Sequence, residues 1–352
     1  MTIMSSPHHD TRRPRALVCG IGGQDGSYLS QLLLGKGYEV VGTSRDASSV
    51  NLRGLRMLGI ADKVQIVSMA PNDFRSVLQT VAKCQPDEIY SLAGQTSVGL
   101  SFDQPVETIE SISIGALNLL EAIRFVATPI RMYNAGSSEC FGDTGSQPAS
   151  ETTPFRPRSP YAVAKACAHN LVANYRDAYQ MFVCTGVLFN HESPLRPERF
   201  VTQKVVQAAA RIAGGSDETL RLGNLDVHRD WGWAPEYVEA MWLMLQQESP
   251  DDFVIATGTT VSLEYFVEKT FEYFGLQWRH HTNRDGALLR PSDVRYGSAD
   301  ASLAMSRMGW RANIRVDDVI ERMCKAANVK RDASLGTEAD ASGQKPAGLG
   351  VR

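Results

Sequence analysis

With 352 residues, 43% of them hydrophobic and 21% charged, the chain has the composition of a soluble globular protein, long enough for one large or two ordinary domains. A formal net charge of −3 supplies no global basic field for nucleic acid or an anionic membrane, so a polyanionic ligand has to be met by locally placed basic residues. No apolar run approaches the ~20 residues of a membrane span, and the polar start "MTIMSSPHHDTRRPR" reads as no signal peptide.

That start is expected to be a disordered arm over 1–14. The same expectation absorbs His8, His9 and Asp10, which do not read as a metal site. In the first half, short β-branched runs alternate with amphipathic stretches. "RALVCG" (15–20) is a strand running into glycines, and "QDGSYLSQLLLGKG" (24–37) a helix closed by Gly37. Strands are expected at 38–45, 63–69, 88–94, 130–136 and 183–189. Helices are expected from Phe74 to Pro86, over 106–126 and over 160–180. This spacing means a parallel, doubly wound α/β sheet of the Rossmann type.

The second half is less regular. It reads as helices at 196–213, 234–248, 262–274 and 316–327, with strands near 219–222 and 252–258. The division expected is a dinucleotide-binding domain over 15–190, a mainly substrate-binding lobe over 191–330, and a disordered tail over 331–352 with almost no large apolar side chains. The six cysteines, Cys19, Cys84, Cys140, Cys167, Cys184 and Cys324, form no C-x-x-C pair. They read as reduced, buried small residues of a cytoplasmic protein.

Gly20, Gly23 and Gly26 form G-x-x-G-x-x-G between the first strand and the first helix. Glycines there permit a tight turn and close approach of a pyrophosphate to the helix N-terminus. The position right after the first strand of an alternating chain is what gives the pattern weight. The second strand ends "GTSRDASS". Arg45 favours the 2′-phosphate of NADP, while Asp46 beside it argues for NAD; NADP is the expectation.

Tyr161 and Lys165 lie four apart on one helix and share a face. A free tyrosine titrates near ~10, and a neighbouring Lys⁺ together with a cationic nicotinamide would lower that. Ser137, at the end of the fifth strand, can hydrogen-bond the same substrate oxygen. These three suit oxidation of an alcohol. Glu139, two residues beyond Ser137, is not needed for that. A carboxylate there can remove the acidic C–H next to a new ketone and drive out a β-leaving group. The set therefore points to oxidation followed by elimination.

Several segments together resemble the extended short-chain dehydrogenase/reductase family, and within it the GDP-mannose 4,6-dehydratases. They are "GIGGQDGSYL", "NAGSSECFG", "RPRSPYAVAKA", "LFNHESPLRPERFVTQK", "LGNLDVHRDWGWAPEYVEAMWLMLQQE" and "RPSDV". The resemblance covers about residues 15–328. It implies Ser137, Glu139, Tyr161 and Lys165 as the catalytic set, with Ser137 standing where the family usually has Thr. It implies cofactor contacts from Gly20, Gly23, Gln24, Asp25, Gly26, Arg45, Leu92, Ala93, Lys165, His191 and Arg196. Asn190, Lys204, Arg229 and Arg290 would meet GDP-mannose, the basic ones facing its diphosphate. Two departures stand out. "MAPND" replaces the family's acidic pair near the adenine, with Asp73 as the nearest substitute, and the loop "RDASSVN" is poorer in arginine.

The activity implied is NADP-dependent dehydration of GDP-D-mannose to GDP-4-keto-6-deoxy-D-mannose by a homodimer or homotetramer. The alternatives are the reductase of the same pathway, which consumes NADPH, and a catalytically silent NADP-binding scaffold.

Overall fold

A computed structural model describes residues 12–328. The expected tail over 331–352 and most of the expected N-terminal arm, including His8, His9 and Asp10, lie outside the described residues. Pro14 leads into the sheet, its carbonyl accepting from the Glu39 amide at 2.9 Å.

The strands, in chain order, are β1 (Arg15–Cys19), β2 (Glu39–Ser44), β3 (Gln65–Ser68), β4 (Glu88–Ser91), β5 (Arg131–Ala135), β6 (Val183–Leu188), β7 (Asn190–Glu192), β8 (Leu220–Leu222), β9 (His228–Trp233), β10 (Phe253–Ile255), β11 (Thr260–Ser262) and β12 (Thr282–Arg284). Seven form one sheet in the order β10-β6-β5-β4-β1-β2-β3. Every pairing in it is parallel. The order reverses direction between β1 and β4, and in open α/β sheets ligands bind in the crevice at the carboxyl ends of the strands at such a point. Helices cover both faces, as a parallel sheet requires. One core contains Val18, Leu29, Leu33 and Tyr133 together with Tyr237 and Met241; the other contains Leu17, Val77, Leu119 and Met132.

The expected cut at residue 190 is not how the chain divides. β10 pairs with β6, and the helix Ala234–Leu245 packs against the first helix, Gln24–Gly35, with Tyr237 and Met241 in the first core. The apolar side chains of "EYVEAMWLML" can be buried only against that sheet, so the chain crosses back after building part of the second lobe. The second lobe has its own core around Val205, Leu222, Trp231, Phe266 and Val319. Two small sheets, β11-β9-β7 and β12-β8, edge it.

Other differences are local. The helix expected from 196 begins at Val201. Before it, Arg196 N bonds Ser193 O and Phe200 N bonds Pro197 O, so two tight turns replace the first helical turns. The helix expected over 106–126 contains a π-helical turn at Glu110–Ile114. Short pieces such as β7, β11 and the helix Val98–Asp103 carry too few residues to show a period. Among the cysteines, Cys167 is exposed and Cys84 half-buried, while the other four are buried as expected.

Candidate active site

Three elements converge at the carboxyl end of β5. The strand runs through Gly136, whose missing Cβ would meet Gly186 O at 2.9 Å, into Ser137. Ser137 Oγ accepts from the Glu139 amide at 3.3 Å and starts the short turn Ser138–Phe141. This fixes the backbone of both residues. The third element is the helix Pro160–Tyr179, started by Ser159, whose Oγ accepts from the Ala162 amide, with Pro160 at its first position. It presents Tyr161 and Lys165 towards β5.

Lys165 Nζ donates to the Ala135 carbonyl at 2.7 Å and lies 5.9 Å from the Tyr161 ring centroid. Ser137, Tyr161 and Lys165 are buried, and all line one cavity of about 380 Å³ with Glu139. Burial pushes the Lys165 ammonium down to about 8. Burial also pushes the Tyr161 phenol up, with the Ser137 hydroxyl pulling the other way. The ammonium is turned to a backbone carbonyl, and desolvation of the phenol outweighs the rest.

The glycine loop lies behind the cavity wall; of its own residues and the helix start, Asp25 lines the cavity, while Gly20, Gly23, Gln24 and Gly26 do not, and neither does Ala93. Gly20 has φ +87°, and its Cβ would sit 3.0 Å from Ala93 N; Leu92 N bonds Cys19 O. The loop thus packs on Leu92 and Ala93, and it leads into the helix starting at Gln24. Asp25 Oδ2 lies 3.0 Å from His191 Nε2, and Gln24 accepts from Ser193 Oγ and donates to the His191 carbonyl. Arg196 Nε lies 3.3 Å from the buried carboxylate of Glu192. Asp25, Leu92, Lys165, His191 and Arg196 all line the cavity, so these predicted cofactor residues are brought together. A tight glycine turn on a helix N-terminus, backed by basic Arg196, is a donor set that fits a dinucleotide.

Arg45 is not part of that group. It lies on the loop after β2, its side chain 77% exposed, and its NH1 meets Glu107 Oε1 at 3.2 Å. Asp46 is taken up by Ser48 and Ser49, closing its own turn. Asp73 caps the helix Phe74–Cys84 by accepting from Arg75 N.

The second lobe supplies the far wall. Asn190, Lys204, Arg229 and Arg290 all line the cavity. Lys204 Nζ donates to the Arg221 carbonyl at 2.8 Å. Arg229 NH2 lies 3.3 Å from Asp293 Oδ1 and 3.7 Å from Glu139 Oε1, and Arg290 NH1 lies 3.0 Å from the same Asp293 oxygen. The cavity therefore runs from an oxidation set, past a carboxylate, to a pair of guanidinium groups. It is long enough to offer a reacting end and an anion-binding end to one ligand.

The family model for GDP-mannose 4,6-dehydratases matches residues 17–323. The chain belongs to the GDP-mannose 4,6-dehydratase family. It is 45% identical over 323 residues to GDP-mannose 4,6 dehydratase 2 of Arabidopsis thaliana, covering 88% of this chain and 86% of that protein. It is 42% identical over 339 residues to the Sinorhizobium fredii GDP-mannose 4,6-dehydratase, covering 90% and 97%. Among solved structures, a dTDP-glucose 4,6-dehydratase from Streptomyces venezuelae with NAD bound superposes with TM-score 0.80 at 20% identity, over 91% of this chain and 98% of that one. At that identity the likeness establishes the fold alone, a Rossmann-type one. Members of the GDP-mannose 4,6-dehydratase family are hydro-lyases, and this chain is one by membership.

Among the cavity residues that sequence reasoning did not assign to the site are Asp293, Glu192, Trp231 and Ser97. Two of them had a readable signal. The period of two in "HRDWGW" puts Trp231 on the same face as Arg229, and Asp293 lies three residues after Arg290 in "RPSD".

Proposed function

We propose that this protein dehydrates GDP-D-mannose to GDP-4-keto-6-deoxy-D-mannose with NADP as its cofactor. The observation that carries the reading is Glu139, whose carboxylate shares one cavity with Ser137, Tyr161 and Lys165. An alcohol dehydrogenase needs only the last three.

Tyr161 Oη takes the proton of the mannose 4-hydroxyl, with Ser137 hydrogen-bonded to the same oxygen and Lys165 supplying positive charge behind it. When bound, the nicotinamide supplies the acceptor for hydride from C4 and returns it to C6. Glu139 takes the C5 proton, made acidic by the neighbouring ketone, and passes it to the departing 6-hydroxyl, which leaves as water. The proton that Tyr161 took from the 4-hydroxyl balances the one that returns to C5, so the net change is loss of one water. Gly20, Gly23, Gln24, Asp25, Gly26, Leu92, Ala93, His191 and Arg196 would hold the cofactor, with Arg45 for the 2′-phosphate. Asn190, Lys204, Arg229 and Arg290 would hold the substrate, whose dianionic bridge requires locally placed cations on a chain of net charge −3.

A homodimer or homotetramer is part of the proposal. Exposed Val106, Ile109 and Val163 on neighbouring helices support burial against a second copy. A reducing, cytoplasmic setting is supported by six free cysteines. The deciding experiment incubates the protein with NADP and a panel of nucleotide sugars, scored by mass. Loss of one water from GDP-mannose, without net change at the nicotinamide absorbance band, is expected. Stoichiometric NADPH consumption on a keto-sugar substrate would mean the reductase instead, and tight NADP binding without any turnover would mean a silent scaffold.

A further inference from the structure

Glu139 sits on the short turn Ser138–Phe141, and the two ends of that turn face different spaces. Glu139 lines the main cavity. Phe141 lines a second one, of about 140 Å³, together with Phe155, His169 and Asp252. The helix Pro160–Tyr179 borders both. Tyr161 and Lys165 face the main cavity, and His169, one turn beyond Lys165, faces the second. Three rings join this helix to the turn. His169 meets Phe155 edge-on with centroids 4.9 Å apart, and Phe155 meets Phe141 edge-on at 5.2 Å. The next residue clasps the turn directly, the Arg156 amide donating to the Cys140 carbonyl at 2.8 Å.

His169 contributes a ring rather than a charge. Its Nδ1 is buried with no hydrogen-bond partner, and Nε2 stands 3.9 Å from Asp252 Oδ2, beyond hydrogen-bond reach. Asp252 is already held by Arg176, at 2.9 and 2.8 Å, and by the Thr185 amide at 2.6 Å. Burial holds His169 below its usual pKa, with Asp252 opposing and Arg176 adding to the shift. Phe155 is half-buried between His169 and Phe141, with the second cavity open beside it. A ring bordering a void has no partner atoms on that side, so without His169 it settles into the space, and Phe141 loses a neighbour. The helix has a firmer frame: Ser159 caps it, Lys165 is bonded to the Ala135 carbonyl, and Ala164 and Ala168 are fully buried. The turn rests on the 3.3 Å bond from the Glu139 amide to Ser137 Oγ, the Arg156 bond and the packing of Phe141.

We infer that His169 and Phe155 are positioning residues for the carbon base: through Phe141 they hold the turn that aims Glu139 at C5. The inference rests on the dehydratase reading above. In the step concerned, the C5–H bond breaks, its proton forms an O–H bond on Glu139, and its electron pair moves towards the C4 ketone. That pair then forms the C5–C6 double bond as the 6-hydroxyl leaves with the proton as water. Oxidation at C4 uses Ser137, Tyr161 and Lys165 and does not depend on where Glu139 points.

The test compares the parent enzyme with His169→Leu, His169→Phe and Phe155→Leu. GDP affinity is measured by calorimetry, kcat and KM on GDP-mannose by mass, and the nicotinamide band in a single turnover. For His169→Leu and Phe155→Leu, kcat should fall roughly three- to tenfold, the scale of one lost aromatic pair, with GDP affinity within about twofold of the parent. Reduced nicotinamide should build up transiently in both, because oxidation now outruns elimination. His169→Phe keeps the ring and gives up no hydrogen bond, so it should turn over within about twofold of the parent without the build-up. A fall in kcat with no build-up means that the helix has moved with Tyr161 and Lys165, and the inference is overturned. Parent-like kcat in both leucine variants, whatever the melting temperature, makes the rings structural and overturns it too, as does a phenylalanine variant no faster than the leucine one. Failure of the parent to dehydrate GDP-mannose overturns the dehydratase reading itself, before any variant is considered.

Discussion

His191 ties the second lobe to the glycine loop through Asp25: Nε2 lies 3.0 Å from Oδ2, and Nδ1 lies 2.8 Å from the Phe189 carbonyl. Both ring nitrogens face acceptors, which suits the doubly protonated imidazolium. Burial alone pushes the His191 pKa down, but the Asp25 charge and hydrogen bond together outweigh it, and the net shift is up. For Asp25, burial pushes up, and the His191 charge and the hydrogen bonds from His191 and Gln24 prevail, bringing it down to about 2. The signs follow by linkage. The Asp25 contribution to stability is present above its unfolded value, near ~4, and is lost as pH falls towards about 2. The His191 contribution is present below ~6.5 and is lost as pH rises through the raised folded value. Both are complete between roughly pH 4 and 6.5. His191→Gln should therefore lower the melting temperature most in that window, with the difference shrinking on the alkaline side. Calorimetry of both proteins across pH checks this, and a difference that ignores pH would sink it.

Glu139→Gln keeps the shape of the side chain and removes the base. The Glu139 carboxylate lines the cavity, 3.7 Å from Arg229 NH2, so the melting temperature should stay near that of the parent. Dehydration of GDP-mannose should fall by ~10²–10⁴, the usual cost of losing a general base. NADP binding should be kept. A variant that releases dehydrated sugar at close to the parent rate would show that Glu139 does not take the C5 proton.

The parallel sheet was legible because short apolar strands alternate with helices as long as Gln24–Gly35, Phe74–Cys84 and Pro160–Tyr179, which show their own period. That the four candidates share one cavity was legible from their placement: Ser137 and Glu139 follow a strand end, and Tyr161 and Lys165 share a helical face. The lobe boundary was not. β10 returns to the first sheet from residue 253, and strand pairing across sixty-odd residues of chain leaves no local pattern. Arg290 and Asp293 could be read as a local pair, but ion-pair partners from distant segments were illegible. Nothing in "VETIE" says that Glu107 meets Arg45, and nothing near Glu139 says that Arg229 comes within 3.7 Å. Such contacts exist only once two lobes have packed.

Arg45→Ala tests the choice between NADP and NAD. The Arg45–Glu107 pair is exposed, and exposed pairs contribute about 0–1 kcal/mol, so the melting temperature should hardly move. If the guanidinium moves from Glu107 to a 2′-phosphate, the variant loses a charge-assisted contact of ~1.5–3 kcal/mol. NADP affinity should then fall tenfold or more on the order-of-magnitude rule of ~1.4 kcal/mol per tenfold, with NAD affinity unchanged. Fluorescence titration with both cofactors reads the ratio. Equal losses for the two would remove Arg45 as the selector.

The two glycines that flank the start of the first helix should fail in different ways. A Cβ on Gly26 would lie 2.5 Å from Gly20 O, 2.8 Å from Ile21 Cα and 3.0 Å from Ile21 C. All three are backbone atoms, so relief requires the turn and the helix to part. A Cβ on Gly23 would lie 3.3 Å from Gly20 O alone, and the Gly23 φ of −78° suits any residue. Gly26→Ala should therefore cost about 1–3 kcal/mol of stability, as overpacking in a close-packed interior does, and lower the melting temperature by several degrees. It should weaken cofactor binding only as a consequence of the distorted turn. Gly23→Ala should melt close to the parent and still lose dinucleotide affinity, because a methyl group there stands where a pyrophosphate has to approach the backbone. Melting curves of both variants, run beside NADP titrations, separate the effects. If Gly23→Ala binds NADP as the parent does, the turn shapes the fold without cradling the cofactor.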